Sequence, residues 1–176
     1  PKEHAGVRVY DLDTGEVTTL LDGVEGHGWR IVASSDGEYL AAYAGERGLK
    51  VWRTSDWALV AEQAGLGWQG FLAADPVQNR VAISLGDGSF DVVDLPDLAA
   101  TARLEGPEEL AIFPTFCADG SELVAPILNA TTRVWNADTG ELRLELSAPG
   151  TFAWVARIWP ERSRVVTGDR DGTVTL

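Results

Sequence analysis

The chain of 176 residues has no methionine, one cysteine and two histidines. With Cys117 alone, no intrachain disulfide forms, so nothing indicates an oxidising compartment. His4 and His27 fit no zinc spacing and no two-histidine, one-carboxylate site, and we predict no metal and no cofactor. No apolar run approaches the roughly 18 residues that a membrane helix needs, and no signal peptide pattern heads the sequence. We expect a cytoplasmic protein, and because the sequence starts at Pro1 without methionine, we expect it to be part of a longer one.

Basic residues are also scarce: 14 Lys and Arg stand against 27 Asp and Glu, for a net charge of −13. An acidic surface repels nucleic-acid phosphates and acidic lipid headgroups, so we expect no nucleic-acid partner and no membrane. The same charge speeds association with a positively charged surface. We therefore expect a partner protein that carries a basic patch.

Strong helix signals are missing as well, since 19 Gly and 8 Pro interrupt the chain and many apolar residues are Val and Trp. What the chain does contain is a repeat. Five segments share a turn and a short strand with a valine at one fixed position: Val9, Val51, Val92, Val134 and Val174. These anchor valines are 42, 41, 42 and 40 residues apart. A constant period of this length is the signature of a repeat fold.

Each period contains the same four strand patterns, separated by turns. After the anchor strand come a turn and an alternating apolar–polar strand; then a glycine-containing connection leads to a continuously apolar strand, and a further turn and strand close the period. The continuously apolar strands, which we predict to be buried on both faces, span residues 29–33, 68–73, 110–116 and 152–158. The sequence therefore predicts an all-β chain of four-stranded antiparallel units.

Particular residues of this repeat resemble those of the WD-repeat family. Val51-Trp52-Arg53 and Val134-Trp135-Asn136 are similar to the family's closing Trp-Asp pair, and Gly26-His27 is similar to its Gly-His pair. Asp171-Gly172-Thr173-Val174 looks like the turn that leads into the family's third strand. The resemblance covers nearly the whole chain, and it implies a β-propeller whose blades are four-stranded antiparallel sheets.

The phase of the repeat predicts partial blades at both ends. Residues 1–176 read as one propeller segment, with a partial blade at 1–23, blades at about 24–64, 65–106 and 107–147, and a partial blade at 148–176. Because an open blade face exposes apolar side chains, we expect these roughly four blades to form an arc of a larger ring. The remaining blades would come from the same chain, from another chain or from a second copy.

Three motifs invite a catalytic or metal-binding interpretation. Asp13-Thr14-Gly15 and Asp138-Thr139-Gly140 resemble the paired triplets of aspartic proteases, but both occupy the same phase of the repeat, where aspartate caps a turn and glycine takes a positive φ. Asp169-Arg170-Asp171-Gly172 resembles part of a calcium loop but lacks the glutamate at the required spacing. We predict turns at all three positions, no catalytic residues and no enzyme activity.

Side chains near the start of the inner strands are better functional candidates. In propellers the connections into these strands crowd one rim of the central channel, where WD-like propellers often bind proteins. The candidate partner-binding residues are Trp29, Arg30, Trp68, Gln69, Glu108, Phe152 and Trp154. Tryptophan is favoured as an interface anchor; the alternative for each tryptophan is a core position between blades.

These patterns favour a non-catalytic protein–protein interaction scaffold or recognition module within a larger multidomain protein. Two alternatives stay open: a propeller enzyme of hydrolase or dehydrogenase type, and a purely structural segment that completes a ring. The mostly apolar inner strands argue against an enzyme, which would need acids or metal ligands around the axis. The richness in Ala, Gly, Arg and Asp points to a bacterial source.

Overall fold

The computed structural model describes residues 7–21, 30–43, 48–66, 70–128, 131–147, 152–159 and 164–176. Within these ranges the chain consists of strands, turns and irregular segments, and no helix in them is fit to cross a membrane. The strands are β1 Val7–Tyr10, β2 Val17–Leu21, β3 Arg30–Ala33, β4 Tyr39–Tyr43, β5 Leu49–Arg53, β6 Leu59–Gln63, β7 Leu72–Ala74, β8 Arg80–Ser84, β9 Phe90–Asp94, β10 Ala100–Leu104, β11 Thr115–Phe116, β12 Glu122–Ile127, β13 Thr131–Asn136, β14 Leu142–Ser147, β15 Ala153–Trp159, β16 Arg164–Asp169 and β17 Val174–Thr175.

The strands form antiparallel sheets in which spatial order follows chain order. Blade 1 consists of β3–β6, blade 2 of β7–β10 and blade 3 of β11–β14. An N-terminal hairpin, β1–β2, precedes them, and a three-stranded C-terminal sheet, β15–β17, follows. The inner strands β3, β7, β11 and β15 contact one another in that sequence, which places consecutive sheets side by side. The prediction of an all-β chain with four-stranded antiparallel blades is confirmed.

The third strand of each blade explains the repeated valine. Side chains alternate between the two faces of a strand, so the anchor valine faces the following sheet and the next residue faces the preceding one. Val51 packs with residues of blade 2, whereas Trp52 packs with the N-terminal hairpin. In blade 3, Val134 packs on Ala156 of the C-terminal sheet, and Trp135 packs into blade 2. The third strand of each blade is therefore buried on both faces by its neighbours.

The inner strands depart from their predicted form. β7 and β11 are shorter than predicted, and in blade 3 the left-handed backbone of Phe113, with φ of 44°, interrupts the apolar segment before β11. Burial on both faces was also wrong for β3 and β15, where Ile31 and Val155 are exposed. The reason is that a two-stranded hairpin covers blade 1 only in part, and no described sheet covers the far face of β15.

Arg80 of blade 2 forms a buried ion pair with Asp75 of the same blade and also contacts blade 3. The Arg80 guanidinium donates to Asp75 at 2.7 Å and to the carbonyl oxygen of Gly120 at 3.0 Å, and it pairs with Asp138 at 2.7 Å. Both Arg80 and Asp75 are buried, so each charge depends on the other for compensation. The contacts with Gly120 and Asp138 fix the turns of blade 3 against blade 2.

The two Asp-Thr-Gly triplets lie in turns of different sheets, one after β1 and one after β13. The side chain that accepts the turn hydrogen bonds is the residue two positions before each triplet: Asp11 accepts from the backbone N–H of Asp13 and Thr14, and Asn136 accepts likewise from Asp138 and Thr139. The aspartate of the triplet was therefore wrongly assigned as the cap. In the second triplet its carboxylate serves the ion pair with Arg80 instead.

Candidate functional site

Four consecutive sheets each place one large side chain at the N-terminal end of their inner strand. These residues are Arg30, Phe71, Phe113 and Trp154. They are 41, 42 and 41 residues apart, which is the period of the anchor valines. Since the inner strands are neighbours, repeat-equivalent positions on them come together, and each blade contributes one side chain to a common cluster.

At one end of this cluster a guanidinium group lies over two phenylalanine rings. Cζ of Arg30 is 4.9 Å from the ring centre of Phe71 and 5.0 Å from that of Phe113. The two rings meet edge to face, with centres 4.9 Å apart and an interplanar angle of 64°. Both the cation–π and the edge-to-face arrangement are attractive, so Arg30 ties blade 1 to blades 2 and 3 at this rim.

The cluster continues into the C-terminal sheet. The ring of Trp154 lies 6.3 Å from Phe113 and 5.4 Å from Phe152. Cζ of Arg170 lies 5.9 Å from the Phe152 ring. We call the six side chains the aromatic rim: Arg30, Phe71, Phe113, Phe152, Trp154 and Arg170. Trp154 is 43% exposed, so the rim presents an indole surface to solvent.

The backbone holds Phe113 in a conformation that phenylalanine rarely adopts. A left-handed φ on a residue with a bulky side chain costs about 1–3 kcal/mol and persists only where the surroundings fix it. Here the N–H of Ile112 donates to the carbonyl oxygen of Pro126, and Leu128 donates back to Leu110. These bonds fix the preceding segment against β12, and Phe113 is thereby turned toward Phe71 and Trp154.

The predicted partner-binding residues divide into three groups. The structure brings Arg30, Phe152 and Trp154 together in the aromatic rim. Glu108 lies on the exposed connection between blades 2 and 3 with a φ of 69°, and it makes none of the ring contacts of the rim. Trp29, Trp68 and Gln69 lie outside the described residues.

Phe71, Phe113 and Arg170 belong to the rim but are absent from the predicted site. A signal for the first two was available, because they lie at the same repeat phase as Arg30 and Trp154. A phenylalanine in an apolar run is first interpreted as a core residue, and only alignment of the periods distinguishes a core position from a rim position. Arg170 had no such signal, since it comes from the turn after β16 rather than from an inner strand.

The aspartate carboxylates of two described turns accept hydrogen bonds from residues of the same turn. Hydrogen bonds from the Cys117 thiol and from Ser121 lower the pKa of Asp119 to about 2. In the segment that resembles a calcium loop, Asp171 accepts the backbone N–H of Thr173 at 2.9 Å, and this bond lowers its pKa. Among the described residues no group of three or more His, Cys, Asp and Glu is arranged to hold a metal ion.

Comparison with protein families and curated sequences gives a short match. No family model matches the chain. The WD repeat, SAM and U-box domain-containing protein 1 of Danio rerio is 39% identical over 62 residues. The match covers 35% of this chain and 13% of the zebrafish protein, so the chain corresponds to only a small part of that relative.

Comparison with solved structures shows the fold. A chain in the crystal structure of the mitotic checkpoint complex superposes with a TM-score of 0.76 at 16% identity, over 93% of this chain and 51% of that one. The computationally designed Ika4 protein superposes with a TM-score of 0.68 at 23% identity, over 87% of this chain and 93% of that one. Together with the blades described above, these likenesses show that the chain folds as blades of a β-propeller, and the short match to the zebrafish protein supports the resemblance to WD-repeat sequences.

Proposed function

We propose that the chain is a non-catalytic recognition module of a larger, multidomain cytoplasmic protein and that it binds a partner protein through the aromatic rim. The observation that carries this proposal is the convergence of one side chain from each of four sheets into one cluster. Rigid strands hold these groups in place, and large aromatic and arginine side chains are the usual energetic centres of protein interfaces. The WD-repeat relative supports an interaction scaffold in general.

The chemistry of the rim supports binding rather than catalysis. Around a propeller axis an enzyme places acids, bases or metal ligands, as general acid–base and metal chemistry require. Here the repeat-equivalent positions carry one guanidinium, two phenyl rings and one indole. None of these groups is a general base at neutral pH, since arginine stays protonated.

The test compares two tryptophans of one strand. Trp154 and Trp159 both belong to β15 and are 43% and 42% exposed, but only Trp154 contacts rim side chains. A photo-crosslinking amino acid at position 154 identifies the partner, and titration calorimetry with that purified partner gives the dissociation constant for each alanine variant. Trp154→Ala is expected to weaken binding about 30-fold or more, the effect of a hot-spot residue worth about 2 kcal/mol.

Trp159→Ala is the matched control and should change the affinity less than about twofold, as interface-remote substitutions do. Both variants should keep the circular dichroism spectrum of the unchanged chain and remain folded at the temperature of the binding measurement. Equal losses in the two variants, or unaltered affinity in Trp154→Ala, would contradict the proposal.

A second candidate function, completion of a larger ring, is favoured by the two end faces. Val174 is 72% exposed, whereas its repeat equivalents Val51, Val92 and Val134 are 0 to 2% exposed. At the other end Tyr10 is 53% exposed, whereas Trp52 is 3% exposed. One end thus offers the face that looks toward a following blade, and the other end offers the face that looks toward a preceding blade.

Within the chain, a face that looks toward a following blade packs against a face that looks toward a preceding one. We therefore propose that further blades cover the two end faces. The blades belong to the rest of a longer chain, to another chain or to a second copy. Sedimentation equilibrium tests the second-copy form: a discrete dimer that Val174→Lys dissociates would support it. A monodisperse monomer at ~100 μM, a concentration well above the dissociation constant of a stable dimer, would contradict it.

The charge of the chain adds one detail about the partner. A net charge of −13 attracts positive surfaces over a distance of about one Debye length, roughly 8 Å at physiological salt. We propose that the partner carries a basic patch outside the segment that enters the rim. Association rates that fall as salt is raised would support this detail, and rates independent of salt would contradict it.

A further inference from the structure

The aromatic rim is positively charged, in contrast to the chain as a whole. Its side chains include two arginines, although the chain has 27 acidic and only 14 basic residues. None of the six rim side chains is an Asp or a Glu. Short-range contacts depend on local charge, because salt screens the field of distant groups. The ligand chemistry of the rim therefore follows from Arg30 and Arg170 rather than from the net charge.

Arg30 has a positioning role within the chain. Its guanidinium is half-buried over Phe71 and Phe113, and it makes a further interaction besides these two ring contacts. A planar guanidinium stacked on rings holds them in a fixed arrangement. We assign Arg30 to the support of the rim and not to direct pairing with a ligand.

Arg170 differs from half of the ten arginines within the described residues. Five others pair with a carboxylate of the chain: Arg53, Arg80, Arg103, Arg133 and Arg143. Arg170 is exposed, and within the described residues its guanidinium contacts the Phe152 ring and makes no ion pair. Its neighbour Asp171 holds the N–H of Thr173 instead. A guanidinium that lies on a ring keeps its N–H edge available for a carboxylate, which it binds through two parallel hydrogen bonds.

Arg170 and Trp154 are both neighbours of the Phe152 ring, and this shared contact bears on the form of the ligand. The Phe152 ring centre is 5.9 Å from the Arg170 Cζ and 5.4 Å from the Trp154 ring centre, so one short segment can contact both groups. In an extended segment, side chains two residues apart point to the same side and are about 7 Å apart. One residue can therefore reach Arg170 while the residue two positions away packs on Trp154.

We infer that the rim binds an extended segment of its partner in which an Asp or Glu lies two residues from a bulky apolar side chain. The carboxylate pairs with Arg170, and the apolar side chain packs on Trp154 beside Phe152 and Phe113. This inference rests on the proposed function, since it names the partner chemistry of the same rim. Burial of the apolar side chain supplies affinity, and the charge-assisted bond supplies selectivity.

Selection from a phage-displayed library of random peptides tests the inference on the whole chain. The selected peptides should be enriched in Asp or Glu two residues from Trp, Phe, Tyr or Leu. A synthetic peptide of the selected sequence should bind at least 10-fold more weakly when its Asp or Glu is replaced by Asn or Gln. Arg170→Gln should weaken binding of the acidic peptide by a similar factor and leave binding of the neutral peptide unchanged.

Arg164→Gln is the matched control, because Arg164 is also exposed and lies at the opposite end of β16. It should leave the affinity unchanged. Peptides that need Trp154 but no acidic residue, or that are rich in Lys and Arg, would overturn the inference and leave the proposed function standing. Peptides that bind Trp154→Ala as tightly as the unchanged chain, or the recovery of no binder, would overturn both.

Discussion

In four turns that follow a third strand, one backbone position has the same left-handed conformation and makes the same hydrogen bond. Gly15, Trp57, Leu98 and Gly140 all have φ between 58° and 77°, and each donates its N–H to the carbonyl oxygen of the residue four positions earlier. Glycine adopts this conformation freely, whereas a side chain makes it costly. Trp57 and Leu98 offset that cost by packing on the cores beside them.

The first prediction compares two of these glycines. A Cβ at Gly15 meets nothing within 4 Å, whereas a Cβ at Gly140 collides with the backbone carbonyl oxygen of Arg103 in blade 2. Gly15→Ala should lower the free energy of unfolding by about 1 kcal/mol, the cost of the left-handed backbone. Gly140→Ala adds an overpacking cost and should lower it by about 3 kcal/mol. Urea unfolding measures both, and equal values would argue against the contact between blades 2 and 3.

The second prediction concerns the buried pair of Arg80 and Asp75. Arg80→Ala leaves the Asp75 carboxylate buried without its cation and should lower the free energy of unfolding by about 3–5 kcal/mol. Arg133→Ala removes a partly exposed pair with Glu145 and should cost less than about 1 kcal/mol. Urea unfolding again provides the values. A similar cost for the two variants would mean that the burial of Asp75 does not depend on Arg80.

Sequence reasoning found turns at residue scale but missed side-chain pairs. The two Asp-Thr-Gly triplets predicted turns because both occupy the same phase of the repeat and because glycine after two polar residues is typical of a turn. Nothing in the sequence joins Arg80 to Asp138, which is 58 residues later. Their contact depends on how two blades pack, and local propensity carries no information about that.

At the scale of the strand, the anchor valine has the same place in each repeat, but the degree to which a neighbouring sheet covers it differs. Val134 in β13 is covered by the C-terminal sheet, whereas Val174 in β17 faces outward. The sequence predicted both strands and their phase, since the 3.3 Å rise and two-residue alternation are local properties. It predicted the inner strands less well, because the left-handed backbone at Phe113 depends on contacts with β12.

The third prediction uses this equivalence of strands. Val134→Lys buries an ammonium group between two sheets and should lower the free energy of unfolding by 3 kcal/mol or more, or prevent folding. Val174→Lys places the same change on an exposed face and should alter it by less than about 0.5 kcal/mol. Chemical unfolding of the isolated monomer provides the comparison. If Val174→Lys proved as costly as Val134→Lys, the face of the C-terminal sheet would be covered within the monomer.

At the scale of the molecule, the excess of negative charge opposes compaction. A net charge of −13 on 176 residues creates self-repulsion that the folded state feels more strongly than the unfolded chain. Salt screens this repulsion, since the Debye length falls from about 30 Å at 0.01 M to about 8 Å at 0.15 M.

The fourth prediction follows from that screening. Raising sodium chloride from ~0.01 to ~0.15 M, which shortens the Debye length as above, should raise the unfolding midpoint measured by calorimetry. A variant with Glu16, Glu38 and Glu108 replaced by Gln carries three fewer negative charges and should respond less to salt. A midpoint that falls with salt would show that favourable ion pairs, such as that of Arg80, outweigh the net repulsion.

The repeat period was the most informative property of the whole chain. Constant spacing of the anchor valines predicted the number and type of sheets, because a sheet that cannot bury its own faces must stack on others. The rim was only partly predictable. Arg30 and Trp154 follow from their place at the start of inner strands, but Phe71 and Phe113 look like core residues until the periods are aligned with one another.

The constancy of valine at the anchor and the variety of residues at the rim have a practical consequence. Arg30, Phe71, Phe113 and Trp154 share one phase, yet their chemistry differs while the blades stay alike. The scaffold thus separates the positions that specify architecture from those that specify recognition. With Arg30 kept as the support, randomising the codons of Phe71, Phe113 and Trp154 should generate new binders on an unchanged frame, and natural divergence at the same positions would alter selectivity in the same way.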